Sequence, residues 1–248
     1  MQKTNLESWF SLNGTTCVVA GGNGLIGKTT VQALSDSGAN VLSFDKDELD
    51  ITNPQELRKY FASLSTKIGN SSETVFINCT YPRTTNWGTL DFETCTLDDW
   101  NKNVELHLGS AFHFSQEAVL FLKQQKRPGS LINFGSIYGI NGPDLNIYKE
   151  TNIKNPVPYS AIKAGIAGFT RYIATTYGQN GIRANVICPG GLEDRQPEPF
   201  LKAYRERTPL KRLANAGDIA GTVAFLAGPS ARYITGQTII VDGGWTSW

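Results

Sequence analysis

Tyr159 and Lys163 stand four residues apart in a stretch of helical apolar spacing, so both side chains project from one helix face. Ser136 closes an earlier apolar run, Ser130-Leu131-Ile132-Asn133-Phe134. A phenol, an ammonium and a hydroxyl are the parts needed to move a proton on and off an alcohol or carbonyl oxygen. Free tyrosine titrates at about 10, too high for a base at neutral pH, and a neighbouring ammonium lowers it. The three residues predict acid/base work by Tyr159, tuning by Lys163 and a hydrogen bond from Ser136 to the reacting oxygen.

A second group of residues points to what such a site would work with. Ala20-Gly21-Gly22-Asn23-Gly24-Leu25-Ile26-Gly27 lies between the apolar run Cys17 to Ala20 and a helical stretch, Lys28 to Ser37. Gly21, Gly24 and Gly27 let the backbone turn sharply and approach a ligand closely, and the amides of the following helix then face a diphosphate. With Asn23, Leu25 and Ile26 the turn reads as a dinucleotide cradle. The next strand, Asn40 to Phe44, ends at Asp45, where a carboxylate accepts from both hydroxyls of a ribose and repels a 2′-phosphate. NAD is therefore favoured over NADP, a preference that Lys46 beside Asp45 weakens. Asp50 and Ile51 follow at the place for an adenine ring. A nicotinamide would bring Tyr159 a second cation and would carry the hydride while the phenol exchanges the proton.

Those side chains need a scaffold, and the chain alternates strand and helix patterns from end to end. Residues 1–14 read as a leader anchored by Trp9 and Phe10. Gly38 can cap the first helix in a left-handed conformation. A helix from Pro54 to Ile68, capped by Asn53, precedes the strand Glu73 to Asn78. Thr96-Leu97-Asp98-Asp99 opens a long helix on which Trp100, Val104, His107, Ala111 and Phe112 share a face. Residues 140–158 carry Pro143, Pro156 and Pro158 and read as a long functional loop. A helix over 159–177, a strand over 183–187 ending at Cys188-Pro189-Gly190, a helix-prone stretch over 192–212, a helix over 218–227 and a strand over 237–241 complete the pattern. Repeated βα units with apolar strands predict one doubly wound α/β domain, its parallel sheet covered on both faces.

Composition excludes other classes of function. The 248 residues hold 23 Lys plus Arg against 22 Asp plus Glu, so no global field draws the protein to nucleic acid or a membrane surface. The expected partner is a small molecule. Cys17, Cys79, Cys95 and Cys188 have no spacing suited to zinc, and reduced thiols are expected. With no hydrophobic signal segment at Met1-Gln2-Lys3-Thr4-Asn5 and no bilayer-length apolar run, the expected location is cytoplasmic.

The glycine turn, Asp45, Ser136, Tyr159-Ser160-Ala161-Ile162-Lys163, Pro189-Gly190 and Val241-Asp242-Gly243-Gly244 together resemble the short-chain dehydrogenase/reductase family over nearly the whole chain. The resemblance implies a single Rossmann-like domain spanning 1–248. It also implies that Lys163 binds the nicotinamide ribose, that Pro189, Gly190 and Leu192 line the nicotinamide, and that Asn78 and Thr80 follow the middle of the cofactor. A homo-oligomer, tetramer or dimer, is implied as well.

Four departures from the family pattern stand out. Leu25 replaces a usual glycine, giving the glycine spacing of the family's extended branch in a chain too short for that branch's substrate domain. His107 stands where the family usually has an Asn that holds a water of the proton relay; the histidine can hold that water or relay a proton itself. Asn78-Cys79-Thr80-Tyr81 replaces Asn-Asn-Ala-Gly, and Arg83 beyond it can clamp a phosphate or carboxylate. Ser136 and Tyr159 are more widely separated than usual, so residues 140–158 are expected to wall the substrate site, with Tyr148 and Lys149.

Tyr81-Pro82-Arg83-Thr84, Ser136-Ile137-Tyr138-Gly139, Pro156-Val157-Pro158-Tyr159 and Gly190 to Pro197 resemble a narrower group, the flagellin-modification-type dehydrogenases of bacterial nonulosonic-acid sugar pathways. That resemblance implies a phosphorylated or anionic sugar, with Tyr81, Arg83, Tyr138 and Tyr148 as its contacts. Two other readings stay open. One is an NADPH-dependent reductase of an acyl or lipid carbonyl; the other is a cofactor-binding sensor, suggested by Leu25 and His107.

Overall fold

Six runs rich in Val, Ile and Thr form strands that all run parallel in the computed structural model, which describes residues 6–69 and 71–248. They are β1 (Thr15–Ala20), β2 (Asn40–Phe44), β3 (Glu73–Asn78), β4 (Gly129–Phe134), β5 (Ile182–Pro189) and β6 (Thr238–Val241), in the spatial order β2-β1-β3-β4-β5-β6. The chain leaves β1 toward one edge and returns to β3 on the other side. A crevice opens there at the carboxyl ends of the strands, the place where open α/β sheets bind ligands. Register puts Ala20 beside both Phe44 and Asn78, so the exits of these strands converge.

Side chains alternate along each strand between two cores. Val18, Phe76, Leu131 and Ala184 face one layer, where Phe61, Phe114 and Phe121 contribute a block of rings. That layer is built from α3 (Pro54–Ile68), α5 (Ser110–Gln125) and α6 (Val157–Tyr177). Val19, Ile77, Ile132 and Ile187 face the other, built from α2 (Leu25–Asp36) and α8 (Ala216–Ala227). The doubly wound α/β domain expected from the sequence is thus present. Among the described residues no helix is long and apolar enough to cross a membrane.

Local chemistry sets the ends of the helices. The Asn53 side chain accepts from the amides of Gln55 and Glu56 at 3.0 and 3.3 Å, with Pro54 in the first turn of α3. Asn215 and Asp218 make a reciprocal capping box on α8. Gly38 has a positive φ of 94°, as its cap role requires.

Three sequence expectations need correction. Trp9 and Phe10, on the short helix α1 (Leu6–Phe10), are not anchors: they are 50% and 53% exposed, and Leu12 is the buried residue of this segment. Residues 1–5 of the expected leader lie outside the described residues. The long helix is not continuous either: α4 (Leu97–Asn103) passes into a π turn at Val104–Gly109 before α5 begins. The wider turn rotates later side chains by about 100° relative to an unbroken helix. Phe112 does not share the buried face: it is 49% exposed, whereas His107 and Ala111 are buried. Finally, the loop 140–158 includes a 3-10 turn at Leu145–Tyr148, and α6 starts at Val157.

Candidate active site

Ser136 leaves β4 in extended conformation, and its hydroxyl accepts from the Tyr138 amide at 3.1 Å, which starts a short 3-10 turn at Ile137–Gly139. A Cβ at Gly139 would come within 2.8 Å of the Lys163 backbone, so only glycine lets this turn press against α6. Pro158 fits the first turn of α6, and one helical turn separates Tyr159 from Lys163. The buried Lys163 ammonium donates to the Phe134 carbonyl at 3.0 Å and lies 3.3 Å from Nε2 of His107. It also sits 5.8 Å from the centre of the Tyr159 ring and 5.4 Å from that of Tyr81.

The Tyr159 ring stands edge-on to those of Tyr81, Trp87 and Tyr138, with centroids 6.0, 6.2 and 6.4 Å away. These rings exclude water, and burial pushes the phenol above its ordinary value; a hydrogen bond from Ser136 opposes that push. The sequence expectation of a lowered tyrosine is corrected here for the protein's own groups, since desolvation outweighs the hydrogen bond from Ser136. Burial also pushes the Lys163 ammonium down to about 8. His107 is driven well below the usual histidine range, first by burial and then by Lys163.

A cleft of about 900 Å³ runs from the β1 and β2 exits to these residues. Gly21, Gly24, Leu25, Ile26, Asp45, Asp50 and Ile51 line one end, and Thr80, Ser136, Tyr159, Lys163, Pro189, Gly190 and Leu192 continue it. Tyr81 and Arg83 stand on the same wall. Six expected site residues do not line it: Asn23, Gly27, Asn78, His107, Tyr138 and Tyr148. Each has a supporting position instead. The Asn23 amide donates to Asp45 at 3.0 Å, and Gly27 sits against the Gly21 carbonyl. Buried Asn78 accepts from the Thr80 amide and hydroxyl at 3.0 and 2.6 Å. His107 lies behind Lys163. Tyr138 and Tyr148 share a 3.1 Å hydrogen bond within an aromatic cluster beside the cleft.

The first end of the cleft has the features of a dinucleotide site. The amides opening α2 have no intrahelical acceptor, and no side chain caps them. They can receive a diphosphate. Gly21 has a φ of 79°, and a Cβ there would meet the Cys79 carbonyl carbon at 3.0 Å, so the β1 and β3 exits pack backbone to backbone. Asp45 presents a carboxylate at the end of β2, as expected. Asp50 is partly committed: one oxygen accepts from the Thr52 amide and hydroxyl at 2.9 and 2.7 Å.

At the other end, the Arg83 guanidinium lies 5.2 Å from the centre of the Tyr81 ring and makes no ion pair with a described carboxylate. Behind the Gly190–Gln196 segment that lines the cleft lies α7 (Glu198–Arg207), whose Tyr204 hydroxyl accepts from the Gly191 amide. Tyr204 stacks on Trp245 at 4.2 Å. Arg207 lies over the rings of both Trp245 and Trp248, at 5.2 and 5.5 Å, and 3.5 Å from the Asp144 carboxylate. Sequence reasoning missed Trp87, Leu106, Asp194 and Gln196 at the site. Trp87 lies in an irregular segment whose sequence shows no periodicity, while Asp194 and Gln196 belong to a local turn closed by a 2.8 Å hydrogen bond between them.

Fold and site together define a Rossmann-like α/β protein with Ser136, Tyr159 and Lys163 gathered in a cleft at the sheet's carboxyl edge. A family model described as enoyl-(acyl carrier protein) reductase matches residues 10–246. The chain is 33% identical over 247 residues to post-translational flagellin modification protein A of Campylobacter coli, covering 92% of this chain and 96% of that protein. It is 29% identical to 3-oxoacyl-(acyl-carrier-protein) reductase FabG of Vibrio cholerae serotype O1, over 95% of this chain and 98% of that protein. A crystal structure of a short chain dehydrogenase from Leptospira borgpetersenii serovar Hardjo-bovis with bound NAD+ superposes with a TM-score of 0.83, at 31% identity, covering 99% of this chain and 97% of that one. The chain belongs to the short-chain dehydrogenase/reductase family, whose members are oxidoreductases acting on CH–OH groups.

Proposed function

We propose that this protein is an NAD(H)-dependent oxidoreductase that interconverts an alcohol and a ketone on a phosphorylated or otherwise anionic sugar. One observation carries the reading: Ser136, Tyr159 and Lys163 line the same cleft as the glycine turn and Asp45. The cofactor supplies the hydride acceptor or donor. Gly21, Gly24, Leu25 and Ile26 would hold its diphosphate, Asp45 its adenosine ribose, and Pro189, Gly190 and Leu192 its nicotinamide, with Lys163 on the second ribose. Tyr159 exchanges the proton at the reacting oxygen, and Ser136 donates a hydrogen bond to that oxygen. The Lys163 ammonium favours the phenolate whenever Tyr159 gives up its proton.

The bound NAD+ of the Leptospira relative and the Asp45 carboxylate support the choice of cofactor. Arg83, a cation on the cleft wall without an acidic partner among the described residues, supports an anionic substrate. The likeness to a flagellin modification protein supports a sugar. By family likeness the protein works in the cytoplasm as a homo-oligomer, a tetramer or dimer. A second reading, an NADPH-dependent reductase of an acyl carbonyl, has the name of the matching family model and the Vibrio relative in its favour, and Asp45 against it.

The test is NADH formation from NAD with a panel of phosphorylated, acidic and amino sugars, with Tyr159→Phe run beside the wild type. Turnover by the wild type alone, with NADH affinity preserved in the variant, is the expected result. Equal turnover by the variant would exclude Tyr159 as the acid/base. A lower Michaelis constant for NADPH than for NADH would favour the second reading.

A further inference from the structure

His107 is one of two histidines in the chain, 2% exposed on the inner side of the π turn. Its Nε2 lies 3.3 Å from the Lys163 ammonium. An ammonium has donors only, so the ring nitrogen facing it must be the unprotonated one. The neutral ring then carries its proton on Nδ1, which is buried and has no partner among the described residues. Tyr81 covers the ring edge-on at 4.9 Å and 87°.

The surroundings fix the charge state. Lys163 from α6 and Tyr81 from the β3 exit face the ring, and beyond them lie Tyr159 against Tyr81, Ser136 bonded to Tyr159, and Cys188 near Lys163. None of these is a carboxylate, and Glu105 of the same π turn is on the exposed side. A charged imidazole would set two cations side by side away from water, with no anion to offset them. A proton handed to Nε2 would also find no exit among protein groups at Nδ1.

We propose that His107 is a positioning residue: as a permanently neutral acceptor it holds the Lys163 ammonium against the Phe134 carbonyl and beside Tyr159, and it neither takes nor gives a proton during turnover. This rests on the oxidoreductase reading above. It gives the histidine a different task from the water-holding or proton-relaying ones considered from the sequence. Lys163 is held here by two direct protein acceptors.

The experiment combines a spectroscopic and a kinetic arm. In protein labelled with 15N-histidine, only His107 and His113 contribute signals. His107 is expected as the Nδ1–H tautomer, unchanged from about pH 5.5 to about pH 7.5, a range that spans ordinary histidine titration and stays below the Lys163 value of about 8. Lys163→Met should move its Nε2 shift. An Nε2–H tautomer, or a titration of the ring within that range, overturns the proposal.

In the kinetic arm, His107→Phe removes the acceptor, and His107→Gln supplies an amide oxygen in its place. The Phe variant should lose about tenfold or more in kcat, the loss expected for a hydrogen bond to a charged group. Its alkaline-rising limb for alcohol oxidation should move up by about one pH unit, because a less firmly held ammonium lowers the tyrosine less. The Gln variant should recover most of both. Identical pH profiles for Phe, Gln and wild type would overturn the positioning role. NADH fluorescence titration of all three reports an intact cofactor site. Failure of the wild type to bind NADH would instead overturn the oxidoreductase reading, leaving the tautomer result to stand by itself.

Discussion

A Cβ placed on Gly27 would fall 1.9 Å from the carbonyl oxygen of Gly21. Both partners are backbone, so neither can swing aside. Gly24, in the same turn, would keep a 3.4 Å contact with that oxygen, close to an ordinary approach. Gly27→Ala is therefore expected to destabilise the protein by about 1–3 kcal/mol, the usual cost of forcing an extra carbon into a packed site. It should also weaken NADH binding by about tenfold, equivalent to about 1.4 kcal/mol. Gly24→Ala should stay near wild type in stability. Thermal melts and NADH titrations of the two variants check this, and indistinguishable melts would contradict the geometry.

Lys163 gives a pH-dependent prediction. Its ammonium is pushed down to about 8 in the folded chain, against an ordinary 10.5. Between those values the unfolded chain binds more protons, so the lysine's contribution to stability rises with pH through that window. Below about pH 8 the buried charge is a standing cost. Lys163→Met should then be more stable than wild type at pH 7, by an amount on the order of 1–3 kcal/mol. The difference should shrink as pH rises from about 8 to about 10. Comparing two proteins at each pH cancels the opposite effect of the buried thiols and phenols, whose values are raised. Denaturant melts of both across that range make the measurement, and a difference that grows with pH would refute it.

Arg83 separates substrate charge from chemistry. Arg83→Gln should raise KM for a phosphorylated or carboxylated substrate by about tenfold to a hundredfold, as expected on losing a charge-assisted contact. The value of kcat should change little, as should KM for an uncharged analogue. Steady-state kinetics on a matched pair of substrates decides the matter, and equal changes for both would remove Arg83 from substrate recognition.

Some of this could be read directly from the sequence and some could not, for physical reasons. The glycine cradle, Asp45 and the Tyr159 and Lys163 pair obey local rules: backbone freedom, strand length and helix pitch act over a few residues. The sheet was legible because its inner strands, buried on both faces, read as apolar runs. His107 was visible as a departure, but its aim depends on the π turn at Val104–Gly109, which helical periodicity in the sequence does not signal. The exposed Trp9 and Phe10 show the limit of hydrophobicity alone, since Leu12 takes the interior position they were expected to fill. The raised tyrosine was beyond reach because three rings from separate segments, Tyr81, Trp87 and Tyr138, enclose it.

Arg207 lies over Trp245 and Trp248, donates to the Trp248 carbonyl at 3.2 Å and approaches Asp144 of the 140–158 loop. The final residues thereby act as a buttress that ties α7 to that loop. Handling of the recombinant protein follows from this. Removing Trp245–Trp248 would loosen α7 and the 140–158 loop while sparing the glycine cradle. Such a preparation would still bind nucleotide and be mistaken for an enzyme offered the wrong substrate.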